Sequence, residues 1–288
     1  MQRYPVGAWG GQSRDVCIGK GNIKMISYTE KDKQKIEQAQ KAKDVLQKHG
    51  ISFCLSNEER YPRALRKLPA VPPVIYYKGN IEIVNHYKNL AVIGSRKFSD
   101  TGAELSFRSG QEVARAGLNL VNGLAIGCDT EAIKGALSEN GKCVAVMPCG
   151  LEQIQPKSNT KLAEEILEKG GCLLSEYPIG TEIQRYRYVE RDRLQSGISE
   201  GVLIIEAERS SGTMHTADFA IRQYKRLACY EAKILEMISG NKYLEETGKA
   251  RALKSIEDLQ EFIRGIKKEE KYEQLSLFDA IVSANNTN

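Results

Sequence analysis

Short apolar runs alternate with amphipathic stretches through the middle of the chain, starting at Leu90. Runs of four or five apolar residues are typical of parallel strands that a sheet buries on both faces. The pattern predicts strands at residues 90–94, 118–121, 143–147, 172–175, 202–206 and 227–230. Between them it predicts helices near residues 101–116, 129–139, 159–169, 190–196 and 213–225. Strands that alternate with helices in this way predict an α/β fold whose doubly wound, mostly parallel sheet carries helices on both faces.

The segments on either side of this region follow the pattern less regularly. Residues 1–30 are rich in glycine and show no period, and the pattern weakens again after Glu231. Outside the alternating region we expect a polar helix at residues 30–49, strands at 51–55 and 74–77, and a capped helix at 255–266. We therefore expect an N-terminal appendage over residues 1–55, one α/β domain over 56–266, and a charged, flexible tail over 267–288.

Three polar turns rich in small residues follow predicted strands. They are Gly94-Ser95-Arg96, the loop with Gly123 and Gly127, and Ser211-Gly212-Thr213. In an open α/β sheet such turns meet at the carboxyl edge, where backbone N–H groups and helix dipoles point at the same space. Arg96 adds a fixed positive charge, although a surface arginine paired with a carboxylate is the alternative interpretation of that turn. The three turns predict a site for an anionic ligand, and a phosphate is the simplest candidate.

Three residues beside these turns have structural interpretations. Asp129 lies at a predicted helix start, where an aspartate N-cap stabilises a helix by about 1 kcal/mol. Cys128 has no histidine near it in sequence, so we expect a small buried hydrophobe instead of a nucleophile. His215 is an isolated histidine, and such a residue is more often structural or exposed than catalytic.

Arginines and tyrosines interleave in the segment that ends at Arg193. Arg191 and Arg193 lie two residues apart, and Tyr186 and Tyr188 precede them. This composition is typical of a groove for single-stranded nucleic acid, in which arginines hold phosphates and each base stacked on a ring contributes about 1–3 kcal/mol. The alternative is a solvated loop of mixed charge, because acidic residues in the same segment offset part of the positive charge.

The composition excludes several other classes of protein. No apolar run reaches the length that a membrane span needs, and the first residues lack the apolar core of a secretory signal. Seven cysteines without a CxxC pair predict reduced thiols and a cytoplasmic location, with neither disulfides nor a metal site. The net charge of +5 is small, so binding to nucleic acid would depend on a local basic patch. A Walker A lysine motif is absent, which argues against ATP hydrolysis.

Several motifs occur in unbroken order between residues 51 and 264. They include YPRALRKL, VIGSR, NGLAIGCD, LLSEYPIGT, VERDR, SSGTMHTA and SGNKYLEETGKA. In this order they resemble the DNA-processing protein A family (DprA, also called Smf). The resemblance implies a Rossmann-like fold that binds single-stranded DNA without catalysis or a cofactor, forms homodimers and loads the recombinase RecA. We therefore expect the three turns with Arg191 and Arg193 to hold backbone phosphates, and Tyr186 and Tyr188 to stack on bases.

The chain departs from the family pattern at three positions near these turns. Ile126 and Ile133 stand where the family usually has arginine and histidine, and Asp192 stands where it has asparagine. The lost arginine and the new aspartate both lower the positive potential near the predicted site. These departures keep a second hypothesis open, in which the same pocket senses a nucleotide-derived ligand in a mobile-element or defence system.

A third hypothesis is hydrolysis of nucleoside phosphates. A related hydrolase family carries the motif P-G-G-x-G-T-x-x-E, in which the glutamate is catalytic. Alignment on Gly212-Thr213 places Thr216 at the glutamate position, so this chain lacks that base. We therefore expect no catalytic residues.

The tail contains a separate motif, Gln274-Leu275-Ser276-Leu277-Phe278. It resembles the bacterial pentapeptide that binds the DNA polymerase sliding clamp. In such a peptide Leu277 and Phe278 would fill an apolar pocket while Gln274 forms hydrogen bonds at its rim. The alternative is a short terminal helix that folds back on the core.

Overall fold

The computed structural model describes residues 37, 41–235 and 239–267. The chain divides into two compact units, Met1–Lys43 and Asp44–Asn288, and the elements named below belong to the second. No helix among the described residues is long and apolar enough to cross a membrane.

Strands and helices alternate along the second unit. Its first helix, α1, ends at residue 48 and has residues 44–48 in this unit. The order continues as β1 (Ser52–Leu55), β2 (Val74–Gly79), α2 (Ile83–His86), β3 (Asn89–Ile93), α3 (Asp100–Arg115), β4 (Asn119–Asn122), α4 (Cys128–Ser138), β5 (Cys143–Val146), α5 (Thr160–Glu168), β6 (Cys172–Ser175), α6 (Arg185–Ile198), β7 (Gly201–Ile204), α7 (Thr213–Arg222), β8 (Arg226–Tyr230), α8 (Ser239–Glu246), β9 (Arg251–Leu253) and α9 (256–267).

The strands form one sheet in the order β1-β2-β6-β5-β4-β3-β7-β8-β9. All neighbours from β6 to β9 are parallel, whereas β2 runs antiparallel to both β1 and β6. From β3 the chain adds β4, β5 and β6 on one side, and it then returns to place β7 on the other side. The direction of winding therefore reverses between β3 and β7, where the register pairs Ile93 with Ile204. In doubly wound sheets ligands bind at the carboxyl edge of such a switch point.

Buried apolar side chains cover both faces of the sheet and form two clusters. One contains Leu90, Leu120 and Ile133, and the other contains Ala91, Val121 and Ile204. Neighbouring residues of one strand belong to opposite clusters because side chains alternate across a strand. The continuous apolar runs in the sequence follow from this two-sided burial.

The predicted Rossmann-like, mostly parallel fold is confirmed. The six strands predicted from Leu90 onward agree with β3 to β8 within two residues at each end. Ser99 caps α3, as the sequence allowed, since its Oγ accepts a hydrogen bond from Gly102 N at 3.0 Å. One boundary is wrong, because α6 begins at Arg185, five residues before its predicted start. The sequence pattern did not predict α2, α8 or β9.

Candidate nucleic-acid interface

A cavity of about 580 Å³ opens at the switch point. Four segments line it: the turn after β3, the glycine loop with the start of α4, one face of α6, and the turn that leads into α7. The lining residues are Ile93, Gly94, Ser95, Arg96, Lys97, Ala125, Asp129, Arg185, Tyr188, Val189, Arg191, Asp192, Gln195, Ser211, Gly212, Thr213, His215 and Thr216. All three predicted turns therefore contribute to one space, the glycine loop through Ala125, together with part of the predicted arginine and tyrosine segment.

Hydrogen bonds fix the turn after β3 against the loop after β7. Ser95 N donates to the carbonyl of Glu206 at 2.7 Å, and Thr213 Oγ1 donates to the carbonyl of Gly94 at 3.0 Å. The backbone at Gly94 packs closely on α4, since a Cβ there would lie 2.6 Å from Cys128 Sγ. The turn therefore presents its backbone to the cavity in a defined position.

The carboxylate of Glu206 determines where α3 begins. It is fully buried and accepts hydrogen bonds from Ser99 N and Ser99 Oγ, both at 3.0 Å. The same Ser99 hydroxyl caps α3, so one side chain after β7 positions the helix that follows β3. Sequence reasoning gave Glu206 no role, because a carboxylate after a strand does not show which distant serine it binds.

Asp129 closes the glycine loop that precedes it. Its Oδ2 accepts hydrogen bonds from Gly123 N at 2.9 Å and Ala125 N at 3.4 Å. Burial raises the pKa of Asp129, and the nearby guanidinium of Arg191 and the loop amides oppose this shift. The structural role predicted for Asp129 is confirmed, but the predicted N-cap is wrong, since Gly127 occupies that position in α4.

Gly123 and Gly127 allow close approach of the backbone without lining the cavity. A Cβ on Gly127 would lie 2.3 Å from Ser95 O, and its φ of +91° is disfavoured for other residues. A Cβ on Gly123 would lie 1.8 Å from Arg191 Nη1. These glycines let the loop pack against the β3 turn and against the guanidinium of Arg191. The structure does not place them at the cavity surface.

Arg191 is a buried cation, of which only 5% is exposed. Its Nη1 donates to the carbonyl of Val146 at 2.6 Å, and its Nε lies 3.2 Å from Asp192 Oδ1. The side chain connects the end of β5 with the acidic residues beside the cavity. The buried Asp192 carboxylate and the Arg191 guanidinium stabilise each other, because an unpaired buried charge is strongly destabilising.

Three other cations on the cavity wall are exposed. They are Arg96, Lys97 and Arg185. The guanidinium of Arg96 lies 5.2 Å from the centre of the half-buried Tyr188 ring. An exposed cation beside an aromatic ring is the pairing that binds a phosphate and the base attached to it.

Two residues of the predicted interface lie elsewhere. Arg193 does not line the cavity, because its guanidinium forms a salt bridge with Glu176 on the opposite side of α6. Tyr186 is 47% exposed and contacts Arg187, outside the cavity. The predicted clamp-binding residues Gln274, Leu275, Ser276, Leu277 and Phe278 lie outside the described residues.

The residues at which the chain departs from the family pattern lie in different environments. Ile126 is exposed on the glycine loop, whereas Ile133 is buried in the core. Asp192 lines the cavity, and burial raises its pKa to about 6 despite the adjacent Arg191. Cys128 is buried as predicted, and burial raises its pKa to about 12.

Sequence reasoning missed Lys97 and Gln195 as lining residues, and it assigned Arg185 only to the arginine and tyrosine segment in general. Arg185, Tyr188 and Asp192 follow the spacing i, i+3, i+7, which places them on one face of a helix. The predicted start of α6 at residue 190 excluded its first turn from this face. Had the helix been extended to Arg185, the helical period would have found these residues.

A doubly wound sheet with polar turns and exposed cations at its switch point is typical of α/β proteins that bind nucleotides or nucleic acids. The chain belongs to the DNA recombination-mediator protein A family, whose model matches residues 52–264. The DNA processing protein DprA of Streptococcus pneumoniae is 31% identical over 206 residues, which cover 71% of this chain and 72% of that protein. Protein Smf of Escherichia coli is 36% identical over 168 residues, 58% of this chain and 45% of that protein. The chain spans about half the length of the Smf relatives that it matches, between 44% and 56%.

Solved structures agree with this assignment. DNA processing protein A from Helicobacter pylori, whose structure was described for its single-stranded DNA binding mode, is 27% identical with a TM-score of 0.67. The match covers 76% of this chain and 96% of that chain. DprA from Streptococcus pneumoniae is 30% identical with a TM-score of 0.67, and the match covers 75% of this chain and 76% of that chain.

Proposed function

We propose that this protein binds single-stranded DNA at the switch-point cavity and acts in DNA processing and recombination without catalysis. The observation that carries the proposal is the pairing of Arg96 with Tyr188 at 5.2 Å on the wall of the cavity. The likeness to the DNA-binding protein of Helicobacter pylori supports the same conclusion.

The turns and the exposed cations contribute to binding in different ways. Gly94, Ser95 and the start of α7 line one space, in which the dipole of α7 favours an anion. Arg96, Lys97 and Arg185 surround that space and neutralise phosphates along a strand. Tyr188 offers a ring for a base, and stacking tolerates every base. The binding is therefore electrostatic and adapted to unpaired bases.

Two acidic residues near the cavity, Glu206 and Asp129, serve structural roles, which supports binding without catalysis. The carboxylate of Glu206 is engaged by Ser99, and that of Asp129 is engaged by the glycine loop. Thr216 is buried at the position where the related hydrolases carry their catalytic glutamate. This arrangement leaves those side chains to shape the cavity.

Fluorescence anisotropy of a labelled oligo-dT at two salt concentrations tests the proposal. We expect salt-sensitive binding that is stronger for the single strand than for its duplex, and that weakens in Arg96→Ala. Arg108→Ala is the matched control, because Arg108 is an exposed arginine on α3 paired with Glu104. Binding that is indifferent to Arg96, or equal for duplex and single strand, would contradict the proposal.

A nucleotide sensor is the second candidate, and the size of the cavity favours it. A volume of about 580 Å³ lies within the usual range of small-molecule sites. Competition between mononucleotides and labelled oligo-dT separates the two functions. Displacement at micromolar mononucleotide would support the sensor, whereas displacement only by longer strands would support DNA binding.

The family resemblance extends the proposal to partners. We infer homodimer formation, loading of RecA onto the bound strand, and contact of residues 274–278 with the sliding clamp. Sedimentation of the full chain measures the first, and RecA filament assembly on coated DNA measures the second. Titration of the clamp with wild type and with Leu277→Ala/Phe278→Ala measures the third.

A further inference from the structure

Two cations from different parts of the chain meet on the ring of Tyr243 in α8. The guanidinium of Arg209, in the loop after β7, lies 3.0 Å from the centre of that ring. The ammonium of Lys249, between α8 and β9, lies 4.6 Å from the same centre and donates a hydrogen bond to the phenolic oxygen. Hydrogen bonds from Lys249 and Arg209 lower the pKa of Tyr243. One aromatic side chain therefore holds two positive charges close together.

These two cations have no acidic partner in the part of the chain that the structure describes. Both are exposed, and neither forms a salt bridge with a described residue. Acidic residues near them in sequence contact other groups: Glu208 accepts a hydrogen bond from Ser239 Oγ, and Glu246 lies 3.8 Å from Lys242 Nζ. Two like charges held together without a counter-charge create a positive potential that attracts an anion.

A hydrogen-bond network fixes the backbone on which the two cations and the ring meet. Asn241 is fully buried, and its Oδ1 accepts a hydrogen bond from Ala207 N at 2.9 Å. Nearby, Arg209 N donates to Ser239 Oγ at 2.8 Å. These bonds hold the loop after β7 against the start of α8, which carries Tyr243. The contact between guanidinium and ring is therefore built on a defined backbone.

The cluster of Arg209, Tyr243 and Lys249 lies beside the switch-point cavity. Arg209 precedes Ser211 by two residues, and Ser211 lines the cavity. The Cα atoms of residues with this spacing are at most about 7 Å apart. Roughly two stacked nucleotides of a strand span the same length. A strand with one phosphate in the cavity can therefore reach the cluster with a later phosphate.

We propose that Arg209 and Lys249, positioned by Tyr243, bind a second phosphate of the strand, which leaves the cavity across the loop after β7 towards α8. The inference rests on the proposed binding of single-stranded DNA. A guanidinium and an ammonium both donate charge-assisted hydrogen bonds to phosphate oxygens. Because the guanidinium of Arg209 lies against its ring, Tyr243 positions the cations and does not stack on a base. Contacts to phosphate are independent of base sequence.

The salt dependence of binding by the full-length protein tests the inference. The probe is labelled dT12, followed by fluorescence anisotropy at several salt concentrations. We expect Arg209→Ala/Lys249→Ala to weaken binding about fivefold at physiological salt, which is the upper end for an exposed ionic contact. We also expect the slope of log K against log salt to fall by about 0.7, as for the loss of one phosphate contact. An unchanged slope would overturn the inference.

Lys242→Ala/Arg251→Ala is the matched control. It removes two exposed cations from the same region of the protein, but these two are paired with Glu246 and Glu261. A general change in electrostatic potential would affect both double variants equally. We expect the control to keep the wild-type slope, and equal losses in the two double variants would overturn a specific phosphate site.

Tyr243→Phe tests the positioning role of the phenol. The variant keeps a ring for Arg209 but removes the oxygen that accepts a hydrogen bond from Lys249. We expect binding of dT12 to weaken about twofold, because one of two exposed ionic contacts loses its position. Urea unfolding of the variant should match the wild type. Wild-type affinity and salt slope in Tyr243→Phe would overturn this role.

Arg96→Ala separates failure of this inference from failure of the proposed function. If the wild type binds dT12 and Arg96→Ala weakens binding, while Arg209→Ala/Lys249→Ala behaves as its control, only the second phosphate site is overturned. If the wild type binds no oligomer, the proposed function and the second site are overturned together.

Discussion

The backbone N–H of Ser95 donates to the carbonyl of Glu206 at 2.7 Å, and this bond joins the ends of β3 and β7. The two residues are far apart in sequence but adjacent at the switch point of the sheet. The side chain of Glu206 continues the connection by accepting two hydrogen bonds from Ser99 at the start of α3. The turn after β3 is therefore held at both of its ends by one residue of the loop after β7.

Glu206→Gln tests this connection. The amide replaces one acceptor oxygen by a donor, which would face the donors of Ser99 in a fully buried site. We expect the free energy of unfolding to fall by about 1–3 kcal/mol, with weaker binding of oligo-dT as the turn loses its anchor. Urea unfolding and anisotropy measure the two effects. Glu164→Gln on exposed α5 should change stability by less than about 0.5 kcal/mol, and a similar loss there would refute the interpretation.

Arg96→Ala and Arg193→Ala separate phosphate binding from internal pairing. Each phosphate contact on a single strand contributes about 0.7 to the slope of log K against log salt. We expect Arg96→Ala to reduce that slope by about this amount. Arg193→Ala should leave the slope unchanged and lower the melting temperature, because it leaves the largely buried Glu176 without its cation. A reduced slope of log K against log salt in Arg193→Ala would show that Arg193 contacts the bound strand.

Asp192 gives stability a dependence on pH. Burial raises its pKa to about 6 in spite of Arg191, while an unfolded aspartate titrates near pH 4. Between these values the folded state binds more protons, so the stability that this group contributes is full below about pH 4 and is lost as the pH rises through 6. We expect the stability of Asp192→Asn relative to wild type to increase from pH 4 to 7, by about 3 kcal/mol at most. A constant difference across this range would contradict the shift.

The same titration affects DNA binding. A neutral Asp192 removes one negative charge from the cavity wall, so we expect affinity for oligo-dT to rise as the pH falls from about 7.5 to 5.5. Asp192→Asn should flatten this rise. His215 lines the same cavity and Asp129, Arg191 and Arg96 lie near Asp192, so His215→Gln is the necessary control. A rise abolished by His215→Gln alone would assign the effect to the histidine.

Gly127→Ala tests the packing of the glycine loop. A methyl group there would lie 2.3 Å from Ser95 O, and the backbone has a positive φ. We expect a loss of about 2–4 kcal/mol, above the cost of the dihedral alone. Gly180→Ala is the control, since its φ of +79° is similar and nothing lies within 4 Å of the new Cβ. Chemical denaturation should show a larger loss of stability for Gly127→Ala than for Gly180→Ala. Equal losses would contradict a contribution from packing at Gly127.

The sequence predicted the fold well because a sheet buried on both faces requires apolar residues at successive positions of its strands. Each strand from β3 to β8 contains a short apolar run, and amphipathic helices lie between the strands. It did not predict β9, because this strand has only three residues and its first, Arg251, is exposed. The antiparallel pairing of β2 with β6 could not be predicted from the sequence either, since it joins strands nearly one hundred residues apart.

The candidate site was only partly predictable from the sequence. Glycine-rich turns can be recognised from the local sequence, and residues from all three turns line the cavity. The environment of an arginine cannot be recognised in this way, because nothing in the local sequence shows that Arg96, Arg191 and Arg193 differ in exposure or pairing. The structure makes the first exposed, buries the second and pairs the third with Glu176. The environments of Arg191 and Arg193 depend on the face of α6 that carries each residue. They also depend on the partners that β5 and the loop after β6 provide.

The pairing of β3 with β7 has a consequence for synthesis of the protein. The turn after β3 emerges from the ribosome more than one hundred residues before the start of α7, with which it shares the cavity. Until β7 is added, β3 is an edge strand and its turn lacks the carbonyl and the carboxylate of Glu206. The nascent chain therefore carries the turn after β3 before the segments that complete the cavity, and the cavity is assembled only after α7 has been synthesised.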